Sequence, residues 1–199
     1  MIGKIADKLA LKISGLNYVD RITGLAKVIS KNIAGEGGMV AKKIPTYLNL
    51  NKTTCDNADY IDLVPDSKLK SIIYFEDQGT SKIDCSGRYD DFETNLRLVF
   101  WCNLGMIDQG TDLYNIQSEI ISTLIGRIDN FDYVVKIIIE LADIPEKSPT
   151  IFAEFSYSEE DKQYLLYPYD YFALDFSVKW SLAKICYETT TLNPNSCMK

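Results

Sequence analysis

The sequence predicts an α+β fold: a mainly antiparallel sheet flanked by helices on one face, with a long N-terminal hairpin arm. Three observations carry this. From Tyr171 to Leu182, Phe172, Leu174, Phe176, Val178, Trp180 and Leu182 alternate with more polar residues, the period of a strand with one buried face. Apolar residues recur at helical spacing in two stretches, 2–13 and 112–128. Between them, Gly35-Glu36-Gly37-Gly38 separates two extended runs, as a hairpin tip does.

Taken in order, Ile2, Ile5, Ala6, Leu9, Ala10 and Ile13 form one stripe, with Lys4, Asp7, Lys8 and Lys12 off it. Ser14-Gly15 stops this helix. Tyr18 to Thr23 reads as extended. Leu25, Val28 and Ile29 fit a helix by spacing, but β-branched residues and Gly24 favour strand. Val40 to Ile44 then runs back from the glycine tip and ends at Pro45, so the arm is expected over 18–50. Residues 51–69 read as irregular, with turns at Asp56-Asn57 and Pro65-Asp66.

Ser71 to Glu76 is a strand, turned by Asp77-Gln78-Gly79, with Ser81 to Cys85 pairing back. Asn95 to Asn103 is a second strand. Its Leu96, Val99 and Phe100 break alternation, which predicts cover on both faces. The helix expected from Asp112 to Ile128 aligns Leu113, Ile116, Ile120, Leu124 and Ile128, with Thr111 or Asp112 as cap. Phe131 to Leu141 follows as a strand. Ser148-Pro149 reads as a helix start leading into Ile151, Phe152, Phe155 and Tyr157, with a strand as the alternative. The polar 189–199 stretch is expected to be a loose tail. The length of 199 residues suits one domain.

Composition narrows the function classes. Histidine is absent, which removes the commonest general base and metal ligand and excludes serine triads, Cys-His pairs and HExxH zinc sites. The five cysteines, Cys55, Cys85, Cys102, Cys186 and Cys197, include no CxxC, and no secretory leader is expected in Met1-Ile2-Gly3-Lys4. Free thiols in a reducing compartment and no structural zinc are the expectation. No apolar stretch is long enough to cross a membrane as a helix. The net charge of −7 is uneven: residues 1–50 hold eight basic against three acidic residues, and the remainder thirteen against twenty-five. A basic end meeting an acidic neighbour, including another copy of the chain, is one reading. A solvated surface is the other.

Asp90, Asp91 and Glu93 form the densest acidic group. They read first as a solvated turn, and alternatively as carboxylates for acid–base work or for Mg²⁺ or Ca²⁺. Glu159, Glu160 and Asp161 read the same way, with the solvated stretch still more favoured. Cys85 and Cys102 read as small buried hydrophobes. The Gly35–Gly38 tip lacks the GK[ST] of a phosphate loop. Tyr164, Tyr167, Tyr169, Tyr171 and Phe172 surround Pro168, either as ordinary packing at a strand entry or as an interface patch. No catalytic residue and no cofactor is expected. The candidate interface residues are Gly35, Glu36, Gly37, Gly38, Tyr167, Tyr169 and Tyr171.

A leading amphipathic helix, a glycine-tipped hairpin, a strand followed by a long helix, and a closing Tyr-Pro-Tyr-x-Tyr-Phe-x-Leu-x-Phe-x-Val-x-Trp strand together resemble tailed-phage neck and tail-completion proteins of the tail-terminator type. The resemblance covers 2–14, 94–128 and 167–182, with the hairpin as supporting shape. It is one of layout and not of a diagnostic motif. It implies a structural virion protein, made in the host cytoplasm and placed at the head–tail junction. Copies of the chain would form a ring, contacting neighbouring neck, portal or tail proteins. DNA would pass through the lumen without sequence recognition, and no membrane would be involved. The alternatives are a carboxylate- and divalent-metal-dependent hydrolase using Asp90, Asp91 and Glu93, or a protein-binding adaptor outside any virion.

Overall fold

The computed structural model describes residues 1–35, 38–48, 60–84, 89–107, 112–132, 134–147, 149–152 and 166–183. The architecture is α+β and dominated by sheet. Helix α1 (Ile2–Ile13) is followed by β1 (Arg21–Leu25), β2 (Lys27–Gly35), β3 (Gly38–Leu48) and β4 (Tyr60–Asp62). Then come β5 (Ser71–Asp84), β6 (Tyr89–Asn103), α2 (Leu113–Leu124), β7 (Gly126–Phe131), β8 (Val134–Asp143) and β9 (Tyr169–Ala183). A six-stranded sheet runs β1-β5-β6-β9-β8-β7, and a three-stranded sheet runs β2-β3-β4. Every pairing is antiparallel except β1 with β5, which is parallel.

The main core lies on one face of the large sheet. Ile5, Leu9 and Ile13 of α1 and Ile116, Ile120 and Leu124 of α2 meet Leu96, Leu98 and Phe100 of β6 and Phe172, Leu174, Phe176 and Val178 of β9. The stripes dictate this: positions three and four apart on each helix present one apolar face. At the start of α2, Asp112 Oδ1 accepts from the Asn115 amide at 2.7 Å. The sheet curls. Helix α1 packs on β1 at one edge, while its Lys4 reaches Asp132 (2.6 Å) and its Lys8 lies over the Phe131 ring, both at the β7–β8 turn of the other edge. Gly24 is required where α1 crosses β1, since a Cβ there would sit 2.0 Å from Asp7 Oδ1.

A second, smaller cluster covers part of the opposite face. Ile72 and Tyr74 of β5, Val99 and Trp101 of β6, and Tyr171 and Ala173 of β9 pack with Leu63, Ile151 and Phe152. Residues 149–152 form a 3₁₀ turn that lays Ile151 and Phe152 into this cluster.

Several expectations are corrected. The helix expected over 112–128 ends at Leu124: Ile125 is extended and Gly126 has φ +138°, so Ile128 belongs to β7. Apolar residues at 120, 121, 124, 125 and 128 satisfy helical spacing on either side of that break. The turn expected at Asp77-Gln78-Gly79 is a bulge inside one long strand. β5 runs on to Asp84 and both halves pair with β6, so 81–84 does not return onto 71–76. Gly79, at φ +117°, and the Asp77 carboxylate accepting from its amide (2.8 Å) make the bulge. The strand expected over 131–141 is present as β8 but starts at Val134, since a turn at Asp132, with φ +54°, leaves Phe131 at the end of β7. Of Tyr18 to Thr23, expected to be extended, 21–23 lie in β1 but 18–20 do not form strand, and 21–25 join the main sheet through β5, so neither stretch forms part of the β2–β3 hairpin. Pro45 lies inside β3 and does not end it. Cys85, Phe155, Tyr157, Glu159 to Asp161 and the 189–199 tail lie outside the described residues.

Candidate functional site

Three surfaces carry chemistry. The first is the β2–β3 hairpin, paired without a break from Lys27 with Thr46 to Gly35 with Gly38. Its base is buried at Ile44, Pro45 and Thr46, whose hydroxyl donates to the Lys27 carbonyl at 3.1 Å. Lys31 is anchored to Asp62 of β4. Toward the tip the ribbon is open: Met39 is 70% exposed and Val40 is exposed as well, while Lys43 midway and Val28 beside the base are also exposed. Of the expected tip residues, Gly35 and Gly38 close the ladder, with Gly38 exposed at φ +125°. Glu36 and Gly37 lie outside the described residues.

The second surface is the end of the sheet where β6 leaves and β9 enters. The Leu104 amide donates to the Pro168 carbonyl at 2.9 Å, and Asn103 Oδ1 accepts from the Gly105 amide at 3.1 Å. The Leu104–Pro168 bond ties the chain leaving β6 to the chain entering β9, where Met106, Leu166 and Tyr167 are exposed. Tyr167, joined to Pro168 by a cis peptide bond, is 89% exposed.

The other two tyrosines expected at an interface are placed differently. Tyr169 stacks on Trp101, with centroids 5.4 Å apart. Tyr171 is only 4% exposed, which takes it off the surface of the chain. Its ring meets Phe152, Lys147 sits over it at 5.4 Å, and Lys147 pairs with Asp170. Burial raises the Tyr171 pKa, Lys147 opposes that rise, and Asp170 adds to it. The tyrosines and the glycines of the hairpin tip belong to different sheets.

The third surface escaped sequence reasoning. Beyond the second cluster, the same face of β6, β9 and β8 turns polar. Arg97 makes two bonds to Asp175, at 2.8 and 2.9 Å. Ser177 donates to Glu93, Ser181 donates to Asp91, and Lys179 reaches Glu140 at 2.8 Å. Lys179 is held above its ordinary pKa by its hydrogen bond to Glu140 and by that carboxylate's charge. A cleft of about 390 Å³ at this end is lined by Asp91, Phe92, Lys136, Lys179, Trp180 and Ser181, among others. The polar positions of β9 were visible as alternation, but their partners on β6 and β8 depend on register.

The acidic group Asp90, Asp91 and Glu93 is thus dispersed among neighbours. Asp90 pairs with Lys82 (2.9 Å), and as successive strand residues Asp90 and Asp91 point to opposite faces. Asp91 and Glu93 do share a face, and each accepts from a serine of β9. Among the described residues, no three Cys, Asp or Glu side chains are grouped so as to hold a metal ion. Among them, too, no helix is long and apolar enough to cross a membrane. Cys102, the one described cysteine, is buried; burial and the Asp170 charge push its thiol up to about 12. Comparison with known proteins finds no matching family model, no matching curated protein and no matching solved structure.

Proposed function

We propose that this chain is a structural virion protein: a subunit of a ring at a phage head–tail junction through which DNA passes, with no catalytic role. In this reading the two helices cover one face of the sheet, and the β2–β3 hairpin is an arm reaching a neighbouring subunit or a neighbouring neck, portal or tail protein. The observation that carries the reading is the open ribbon. Met39 and Val40 near the tip and Val28 near the base are apolar and exposed, with Lys27 and Lys43 exposed along the same ribbon, an arrangement that costs solvation unless a partner covers it. Charge supports the same view. The ribbon is basic, while the remainder of the chain carries ten more acidic than basic residues, so the arm of one copy complements the body of the next. An acidic lumen also repels the phosphate backbone and lets DNA slide.

The test is electron microscopy of the purified chain, alone and with the neighbouring virion proteins, together with immunogold labelling of whole particles. Rings with an open lumen and label at the head–tail junction are the expected result. A chain that stays monomeric with its neighbours and is absent from particles overturns the proposal.

A further inference from the structure

The outer strand β7 has a chemistry that repeats when the strand is turned end for end. It reads Gly126-Arg127-Ile128-Asp129-Asn130-Phe131 and is the last strand of the large sheet, with no described strand beyond it. On its inner side it pairs with β8, Ile128 facing Ile137. Arg127 and Asp129 point to the face away from the main core and bond each other along the strand at 2.6 Å, both well exposed. Ile125, just before the strand, is 42% exposed.

We propose that the outer edge of β7 pairs with β7 of a second copy of this chain, antiparallel about a two-fold axis at Ile128. This rests on the assembly reading above for self-association; being isologous, the contact forms a dimer of the free chain and is distinct from the contacts that would close a ring. In that register Arg127 of each copy faces Asp129 of the other, and Ile128 faces its own counterpart. Opposite charges and apolar pairs directly across an antiparallel ladder stabilise it, and like charges destabilise it. The two-fold contact is isologous, so it closes on itself and satisfies the backbone groups of both edges at once. The other outer strand, β1, offers no such match: Arg-Ile-Thr-Gly-Leu holds one charge and no acid to meet it, and α1 packs across it. The paired edge gives the free chain a two-fold dimer before it meets any neighbour.

Charge reversal tests this without touching the core. Sedimentation velocity across a concentration series compares the wild-type chain with Arg127→Asp, Asp129→Arg and the double variant, each checked for folding by circular dichroism and urea denaturation. Either single reversal places like charges opposite each other twice and weakens the dimer roughly tenfold or more. The double variant restores opposite charges and restores the dimer. An equimolar mixture of the two single variants also recovers it, because an aspartate pair then faces an arginine pair. A wild-type chain that associates equally well with either single reversal overturns the β7 contact and leaves the assembly reading standing. A failure of the mixture to reassociate overturns the two-fold register. A wild-type chain that is monomeric at every concentration overturns both the β7 contact and self-assembly of the free chain.

Discussion

The two ends of the large sheet use the same strands for different purposes. Where β6 ends and β9 begins, both faces are covered: Phe100 and Phe172 stack into the main core at 4.7 Å, while Trp101, Tyr171 and Ala173 fill the second cluster behind them. At the opposite end the main-core face stays apolar, with Phe92 stacked on Trp180 at 4.5 Å. The other face there becomes a ladder of Arg97, Asp175, Glu93, Ser177, Asp91 and Ser181, part-exposed throughout. One end is built to hold the fold and the other to meet solvent or a partner. The switch occurs within one strand, between Ala173 and Asp175.

The contrast predicts a steep gradient of mutational cost. Trp101→Ala, at the doubly covered end, removes the largest buried side chain and is expected to cost about 3–5 kcal/mol. In a chain of this size that lowers Tm by roughly 10 °C, measurable by calorimetry. A cost below 1 kcal/mol, on the scale of a surface substitution, would mean the second cluster is not a core.

High pH probes the same end. Burial raises the Cys102 pKa from 9.0 to about 12, so the unfolded chain releases this proton first as pH rises. Stability is unaffected by this group below pH 9 and falls between about 9 and 12. Tyr18, raised mainly by burial and further by Glu119, acts in the same direction above its ordinary value. Urea denaturation across this range should show the loss, and Cys102→Ala should remove the thiol's share. At neutral pH the thiol stays protonated and resists alkylation in the folded chain.

Arg97→Ala, at the boundary between the two ends, breaks the paired bond to Asp175 with both side chains about a quarter exposed. The expected cost is about 1–2 kcal/mol, reduced by added salt. Ser181→Ala, within the polar ladder, should change stability by less than about 0.5 kcal/mol in the isolated chain. A larger loss there would show that the polar face supports the fold.

Much of this fold is legible in the sequence because the signals are periodic. The α1 stripe and the β9 alternation appear in the structure where spacing placed them, and the glycine tip separates two strands that pair. What failed were boundaries that two periodicities share. Ile120 to Ile128 satisfies helical spacing across a helix end and a strand start, and only Gly126 marks the change. Asp77-Gln78-Gly79 has turn chemistry, which a bulge uses equally well. The parallel β1–β5 pairing and the polar ladder depend on contacts between distant segments. Arg97 and Asp175 are 78 residues apart, and neither announces the other. Among the expected interface residues, aromatic content alone could not separate exposed Tyr167 from buried Tyr171, since Tyr167 lies in the turn before β9 and Tyr171 within the strand, under Phe152.

In the proposed function the distal hairpin serves assembly and not the fold. Replacing residues 33–40 with Asn-Gly keeps Asn32 opposite Ala41 and preserves the Lys31–Asp62 anchor while removing the exposed Met39 and Val40. Urea denaturation and sedimentation of this variant, with and without neighbouring virion proteins, are the direct measurement. The account predicts stability within about 0.5 kcal/mol of the full chain and loss of the larger assemblies. Unfolding of the body, or assemblies that form undiminished, would contradict it.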